Sequence, residues 1–190
     1  MALGEMFRTQ GEYGRAVRIH QNLLARPDEP SGLHFQAYVS LGRDFQAGGL
    51  LDRALRHYAK ALAIQTDHLE SLNACLRIRE QSHEWDEAEW LVSRLEQIED
   101  KSYHEHRAYL KSEMAEQSLE NSDLEQCEAL TQQALELSPA CTHAHLLFIK
   151  YLIKTRKNEQ VLQQAELFLQ QVKQEHHALL ADTLMSDEPF

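Results

Sequence analysis

Apolar residues recur along the chain at intervals of three and four, the spacing that keeps them on one face of an α-helix. The clearest block is Leu41–Ala61, LGRDFQAGGLLDRALRHYAKA. There Leu41, Gly42 and Phe45 share a face, Gly48 and Gly49 interrupt it, and Ala54, Tyr58 and Ala61 share a face of a second helix. Gly42 and Ala54 are small where two helices must approach, while Phe45 and Tyr58 are large enough to fill the space beside them. The block predicts an antiparallel helix pair.

The same template returns four times. Upstream it reads Leu3-Gly4, Phe7, Gly11, Tyr13 and Ala16, then Leu23 and a stop at Pro27. Downstream it reads Leu72, Cys75-Leu76, Trp85, Ala88, Val92 and Leu95, then Met114-Ala115, Leu124, Cys127, Ala134 and Pro139. A degenerate last copy has Phe148-Ile149, Leu152, Val161, Ala165 and Phe168. The key small or apolar residue of each second helix falls at Ala16, Ala54, Ala88, Cys127 and Val161, spacings of 38, 34, 39 and 34. These copies divide the chain, read as one domain over 1–190, near 1–32, 33–66, 67–102, 103–139 and 140–174, with a further helix at 176–185 as a cap. The longer spacings predict extended turns at 26–33 and 100–104, where flexibility is expected. The first copy lacks the opening turn of its first helix, so the chain reads as a fragment or shortened relative of a longer repeat protein.

With Tyr38 in the opening aromatic place, the block resembles the tetratricopeptide repeat, W/Y-x2-LG-x2-Y/F…A-x3-F/Y-x2-A, and two of the four spacings equal that family's period. The resemblance implies an all-α, right-handed superhelix of about five helix-turn-helix repeats, an α-solenoid whose stacked first helices line a groove. The residues expected to face it are Gln36, Val39, Arg43, Gln46, Glu70, Asn73, Arg77, Tyr109, Ser112, Glu116 and Lys150. Repeat domains of this kind that bind a chain terminus use a clamp of Lys and Asn, for which only Asn73, Arg43 and Arg77 offer a partial stand-in.

Composition agrees with helix. Only 4 prolines and 7 glycines occur in 190 residues, and no stretch reads as β-structure. No apolar run approaches the roughly 18 residues of a membrane span, so direct membrane insertion of this chain is not expected. The net charge of −11 disfavours nucleic acid and anionic lipid and leaves protein as the expected partner. Between Glu80 and Glu128 the acids outnumber Arg94, Lys101, Arg107 and Lys111 by as much as the net charge of the whole chain, whereas Arg8, Arg15, Arg18 and Arg26 make the N-terminal end mildly basic.

Chemistry is sparse. Cys75, Cys127 and Cys141 are widely spaced within helical patterns and read as small buried thiols. His104 with His106, His143 with His145, and His176 with His177 lack the i, i+4 spacing that lets two side chains on one helix face grip a metal. No catalytic motif or phosphate-binding glycine loop is present, so the chain reads as a non-enzymatic interaction module without metal or cofactor. Leu3 and Phe7 near the N-terminus are expected to support self-association into a homo-oligomer.

Four stretches carry a narrower resemblance: RTQGEYGRAVRIHQNLLARP, LGRDFQAGGLLDRA, EWDEAEWLVSRLE and LENSDLEQCEALTQQAL. In that order they are similar to the lipopolysaccharide assembly protein B family of Gram-negative bacteria. The resemblance implies a cytoplasmic adaptor, tethered to the inner membrane by an N-terminal helix and ending in a rubredoxin-like knuckle of four cysteines, neither of which this sequence includes. It further implies two protein partners, the lipid A deacetylase LpxC and the protease FtsH, brought together to limit lipopolysaccharide production. A general peptide- or protein-binding repeat module with unrelated clients is the alternative.

Overall fold

The computed structural model describes residues 2–26 and 31–186. Residues 27–30 of the first expected long turn lie outside them. The described residues form ten α-helices and no strand. In pairs these are α1 (Ala2–Thr9) with α2 (Tyr13–Leu24), α3 (Ser31–Ala47) with α4 (Leu51–Ile64), α5 (Leu69–Gln81) with α6 (Trp85–Glu99), α7 (His104–Glu120) with α8 (Leu124–Leu137), and α9 (Thr142–Lys154) with α10 (Asn158–Ser186). The chain resolves into two compact units, Met1–Lys101 and Ser102–Phe190.

The turn inside each pair is built the same way all five times. Gly11, Gly49, His83, Ser122 and Arg156 each adopt a positive φ. The next residue then donates its N–H back across the turn: Glu12 to Phe7 at 2.8 Å, Leu50 to Phe45 at 2.8 Å, Glu84 to Arg79 at 2.9 Å, Asp123 to Ser118 at 2.9 Å, and Lys157 to Leu152 at 3.0 Å. This closure satisfies carbonyls that the end of a helix would otherwise leave unpaired. Glycine enters the left-handed region without a Cβ penalty, so Gly11 and Gly49 fit it, while His83, Ser122 and Arg156 adopt it at a cost of about 1 kcal/mol. At the start of α8 the Asp123 carboxylate accepts the Gln126 N–H at 3.1 Å, a side-chain cap.

In the N-terminal unit α3 packs against α1, α2 and α4, and α5 packs against α4 and α6. Close approach rests on the small residues. A Cβ on Gly42 would lie 2.6 Å from the Tyr58 ring, and one on Gly4 would lie 2.4 Å from the His20 ring. Ala16, Ala54, Ala61 and Ala88 are buried at the second-helix positions read from the sequence. Around them Leu41, Ile78 and Leu95 are fully buried, each contributing about 1.5–3 kcal/mol of transfer free energy.

In the C-terminal unit α7 packs on α8 and α9, and α9 packs on α8 and α10. Cys127 takes the alanine position and is buried with Ala115, Leu147, Tyr151 and Leu152, while Ala108, Ala134 and Ala144 form a second cluster. The last repeat departs from the expected register. Val161 and Ala165 are half-buried, and over 159–173 of α10 the buried residue is Gln164, whose amide donates to His145 Nδ1 at 2.8 Å. His145 Nε2 in turn donates to the Pro139 carbonyl at 2.8 Å.

The expected boundary at 174 and separate helix at 176–185 are corrected: α10 runs unbroken through both. Asn158–Ser186 contains no glycine or proline and is rich in Gln, Glu, Leu and Ala, so nothing local stops it. Among the described residues no helix is long and apolar enough to cross a membrane.

Candidate functional site

The first helices of the N-terminal unit enclose a cavity of about 270 Å³. Glu5 and Arg8 reach it from α1, Phe35, Gln36, Val39, Ser40 and Arg43 from α3, and His68 and Glu70 from the start of α5. The residues of α3 that line it recur every three or four positions, so one helical face presents them together.

Two paired guanidinium groups sit in this cavity. Arg43 grips Glu70 with both arms, Nε donating to Oε1 at 2.5 Å and Nη2 to Oε2. The hydrogen bonds hold the Glu70 carboxyl below the usual carboxylate range and push the Arg43 guanidinium up, with Coulombic attraction adding to both and desolvation opposing both. Arg8 donates to Glu5 at 3.3 Å and, on its inner side, to Asp44 Oδ1 at 3.1 Å.

Asp44 is fully buried, and its other oxygen accepts from His20 Nδ1 at 2.5 Å. A carboxylate removed from water needs such partners, and the network ties α1, α2 and α3 together. Phe35 and the His68 ring meet edge-on at 4.9 Å between centroids, closing one wall of the cavity with apolar surface.

Of the eleven residues expected to face a groove, Gln36, Val39, Arg43 and Glu70 line this cavity, although Val39 is itself buried. Gln46 instead accepts the Tyr58 hydroxyl at 2.9 Å, and the Asn73 amide donates to the Leu69 carbonyl at 2.9 Å. Arg77 is exposed. With Arg43 engaged by Glu70 and Asn73 by its own helix, the three do not form a preset carboxylate clamp.

The other four lie in the C-terminal unit. Lys150 of α9 donates to Glu116 of α7 at 3.1 Å, and the Tyr109 ring lies 6.2 Å from that of His143, whose Nε2 is 3.5 Å from Glu116. Ser112 is a correction to its expected orientation. It is fully buried, and its hydroxyl donates back to the Ala108 and Tyr109 carbonyls at 3.0 and 2.8 Å, so it presents no polar atom to a ligand.

Sequence reasoning missed Glu5, Arg8, Phe35, Ser40 and His68 of the lining, and Asp44 and His20, which hold Arg8 from within. One signal for His20 was available: it follows Ala16 by the interval at which Tyr58 follows Ala54, and it faces Gly4 as Tyr58 faces Gly42. Asp44 gave none, because an aspartate in a polar-looking helix position reads as exposed.

Comparison with known proteins agrees with the fold. A tetratricopeptide-repeat family profile matches residues 1–33. Lipopolysaccharide assembly protein B of Haemophilus influenzae is 30% identical over 171 residues, 90% of this chain. The Escherichia coli K12 protein of the same name is 32% identical over 131 residues, 68% of this chain.

The chain is a tetratricopeptide-repeat homologue of lipopolysaccharide assembly protein B. It spans 43% of the length of the Haemophilus protein and 33% of the Escherichia one.

Solved structures show the same fold at low identity. A MamA structure superposes with TM-score 0.56 at 13% identity, covering 93% of this chain and 92% of that one. MamA residues 41-end from Desulfovibrio magneticus RS-1 gives TM-score 0.52 at 14% identity, covering 93% of each.

Proposed function

We propose that the chain is a non-enzymatic adaptor module of the cytoplasm that holds protein partners through its groove and takes part in controlling lipopolysaccharide synthesis. The observation that carries this reading is the 30% identity to lipopolysaccharide assembly protein B over 90% of the chain. The partners that fit it are the deacetylase LpxC and the protease FtsH, with the module presenting the first to the second.

The cavity of the N-terminal unit supports a groove-binding role. Arg43 and Glu70 are partly exposed at its mouth and satisfy each other in the free protein. A client segment carrying opposite charges can exchange with that pair without leaving either ion unpaired, and Phe35 offers apolar surface beside it.

Calorimetric titration of purified LpxC and of the FtsH cytoplasmic region into the full chain tests the reading. Binding of at least one is expected, weakened about tenfold or more by Arg43→Glu, since leaving a charge unpaired in such a contact costs about 2 kcal/mol or more. Absence of binding to both proteins overturns the named partners. A general protein-binding module with unrelated clients is the second reading, supported by the tetratricopeptide-repeat match over residues 1–33.

A further inference from the structure

The N-terminal unit carries a second charged surface, on two helices that contribute no residue to the cavity. On α2 and α4, Arg15, Arg18, Arg53, Arg56 and Lys60 lie across the helix from the buried Ala16 and His20 and the buried Ala54, Tyr58 and Ala61. All five are exposed. Arg15 and Arg18 occupy the repeat positions that Arg53 and Arg56 occupy one spacing later, so the fold sets the same pair of guanidinium groups on two successive second helices. In the third repeat those positions hold Glu87 and Trp90, and the array stops.

Four of these five cations are not neutralised by an ion pair among the described residues. Arg15 pairs with Glu12 at 2.8 Å, but among the described residues Arg18, Arg53, Arg56 and Lys60 make no ion pair. The Arg53 guanidinium carbon lies 5.8 Å from the Phe45 ring centre and Lys60 Nζ 5.5 Å from that of Tyr38, contacts with neutral ring faces that orient both cations without cancelling their charge. In a chain with 30 acidic and 19 basic residues, unpaired cations at matching repeat positions stand out against the prevailing charge. Beside Arg53 and Arg56 a cleft of about 370 Å³ runs from Gly49 to Ser82, with Asp52 as its one acid.

We propose that this face docks an acidic segment of a partner protein, independently of the groove. Guanidinium groups in a fixed array bind carboxylates bidentately, and the cleft provides room for the segment's backbone. A short segment feels chiefly the charges within a Debye length, about 8 Å at physiological salt, here the five cations against Glu12 and Asp52. An anionic membrane or a nucleic acid is extended, and would face the remaining acids of a chain whose net charge is −11.

The probe is a fluorescein-labelled helical peptide of glutamate and alanine, followed by anisotropy with the full chain and compared with its lysine counterpart. The glutamate peptide is expected to bind, with affinity falling about tenfold or more between low and physiological salt. Arg18→Glu/Arg56→Glu is expected to weaken it about tenfold or more, Arg18→Lys/Arg56→Lys less, and the groove variant Arg43→Glu not at all. Circular dichroism checks that each variant is folded.

Equal binding by the charge-reversed and native chains overturns the proposal, as does failure of the glutamate peptide to bind at low salt. Tighter binding to phosphatidylglycerol vesicles than to the peptide would assign the face to lipid instead. Sedimentation that shows self-association lost in the Arg18→Glu/Arg56→Glu chain would assign it to a second copy. The groove reading stands or falls separately, because its own test uses Arg43.

Discussion

His57 shows how a single titratable group can be tuned by the packing of its repeat. Its ring stacks on Phe45 at 5.2 Å, and its buried Nδ1 has no hydrogen-bond partner among the described residues. Burial, then the neighbouring Lys60 and Arg56, lower its pKa from the usual 6.5. The folded state therefore favours neutral His57, and the stability tied to it is whole above about pH 6.5 and declines as pH falls from there through the lowered value. Urea midpoints at neutral and mildly acidic pH are expected to drop further for the native chain than for His57→Phe, whose ring keeps the stacking without the proton. Equal drops would place the acid sensitivity elsewhere. The thiols are tuned in the other direction. Burial pushes Cys75 up to about 11 and also raises Cys127, disfavouring the reactive thiolate. A colorimetric thiol reagent without denaturant is expected to leave both largely unlabelled and to react with all three cysteines after unfolding.

The unit of construction is the helix pair, held by a close approach in its middle and a left-handed turn at its end. Gly42→Ala puts a methyl against the Tyr58 ring and is expected to cost about 1–3 kcal/mol by overpacking, read as a lower urea midpoint. At the turn the sign reverses. Ser122 adopts φ +64, so Ser122→Gly is expected to stabilise the chain by up to about 1 kcal/mol, whereas Gly49→Ala, at φ +74, should lose a similar amount. Opposite shifts at the two turn positions would show that φ, rather than side-chain contact, decides them. The buried Asp44 illustrates what a pair gains from its neighbour, since its partners come from α1 and α2 and neither lies on its own helix.

Each compact unit has its own buried residues, Leu41, Tyr58 and Leu95 in one and Cys127, Leu147 and Leu152 in the other. In repeat proteins stability is a sum of local terms, so damage is expected to stay near its source. Ala54→Trp, which forces a large ring into a fully buried alanine site, should lower amide protection across α3 and α4 and their neighbours while α7 and α8 keep theirs. Loss of protection in both units together would mean that they unfold as one. Charge is also distributed at this scale, with the unpaired arginines on the N-terminal unit and an acidic excess between Glu80 and Glu128.

The helices and their pairing were legible in the sequence because they follow from local rules. Leu41, Gly42, Phe45, Ala54 and Tyr58 repeat at helical spacing, and Gly11 and Gly49 mark turns by the conformation that glycine alone adopts freely. His83, Ser122 and Arg156 carry no such mark, yet they make the same turn, because packing of the flanking helices imposes a φ that the residue itself disfavours. Part of the candidate site was legible for the same periodic reason, which places Gln36, Val39 and Arg43 on one face of α3. What only the tertiary structure decided is which polar residues find partners across helices. Asp44 is buried because His20 and Arg8 converge on it, Glu70 is held because Arg43 crosses from α3, and Gln164 displaces Ala165 from the interior because His145 awaits its amide. Burial of a polar group depends on a partner distant in sequence, and no spacing along one helix encodes where that partner will be.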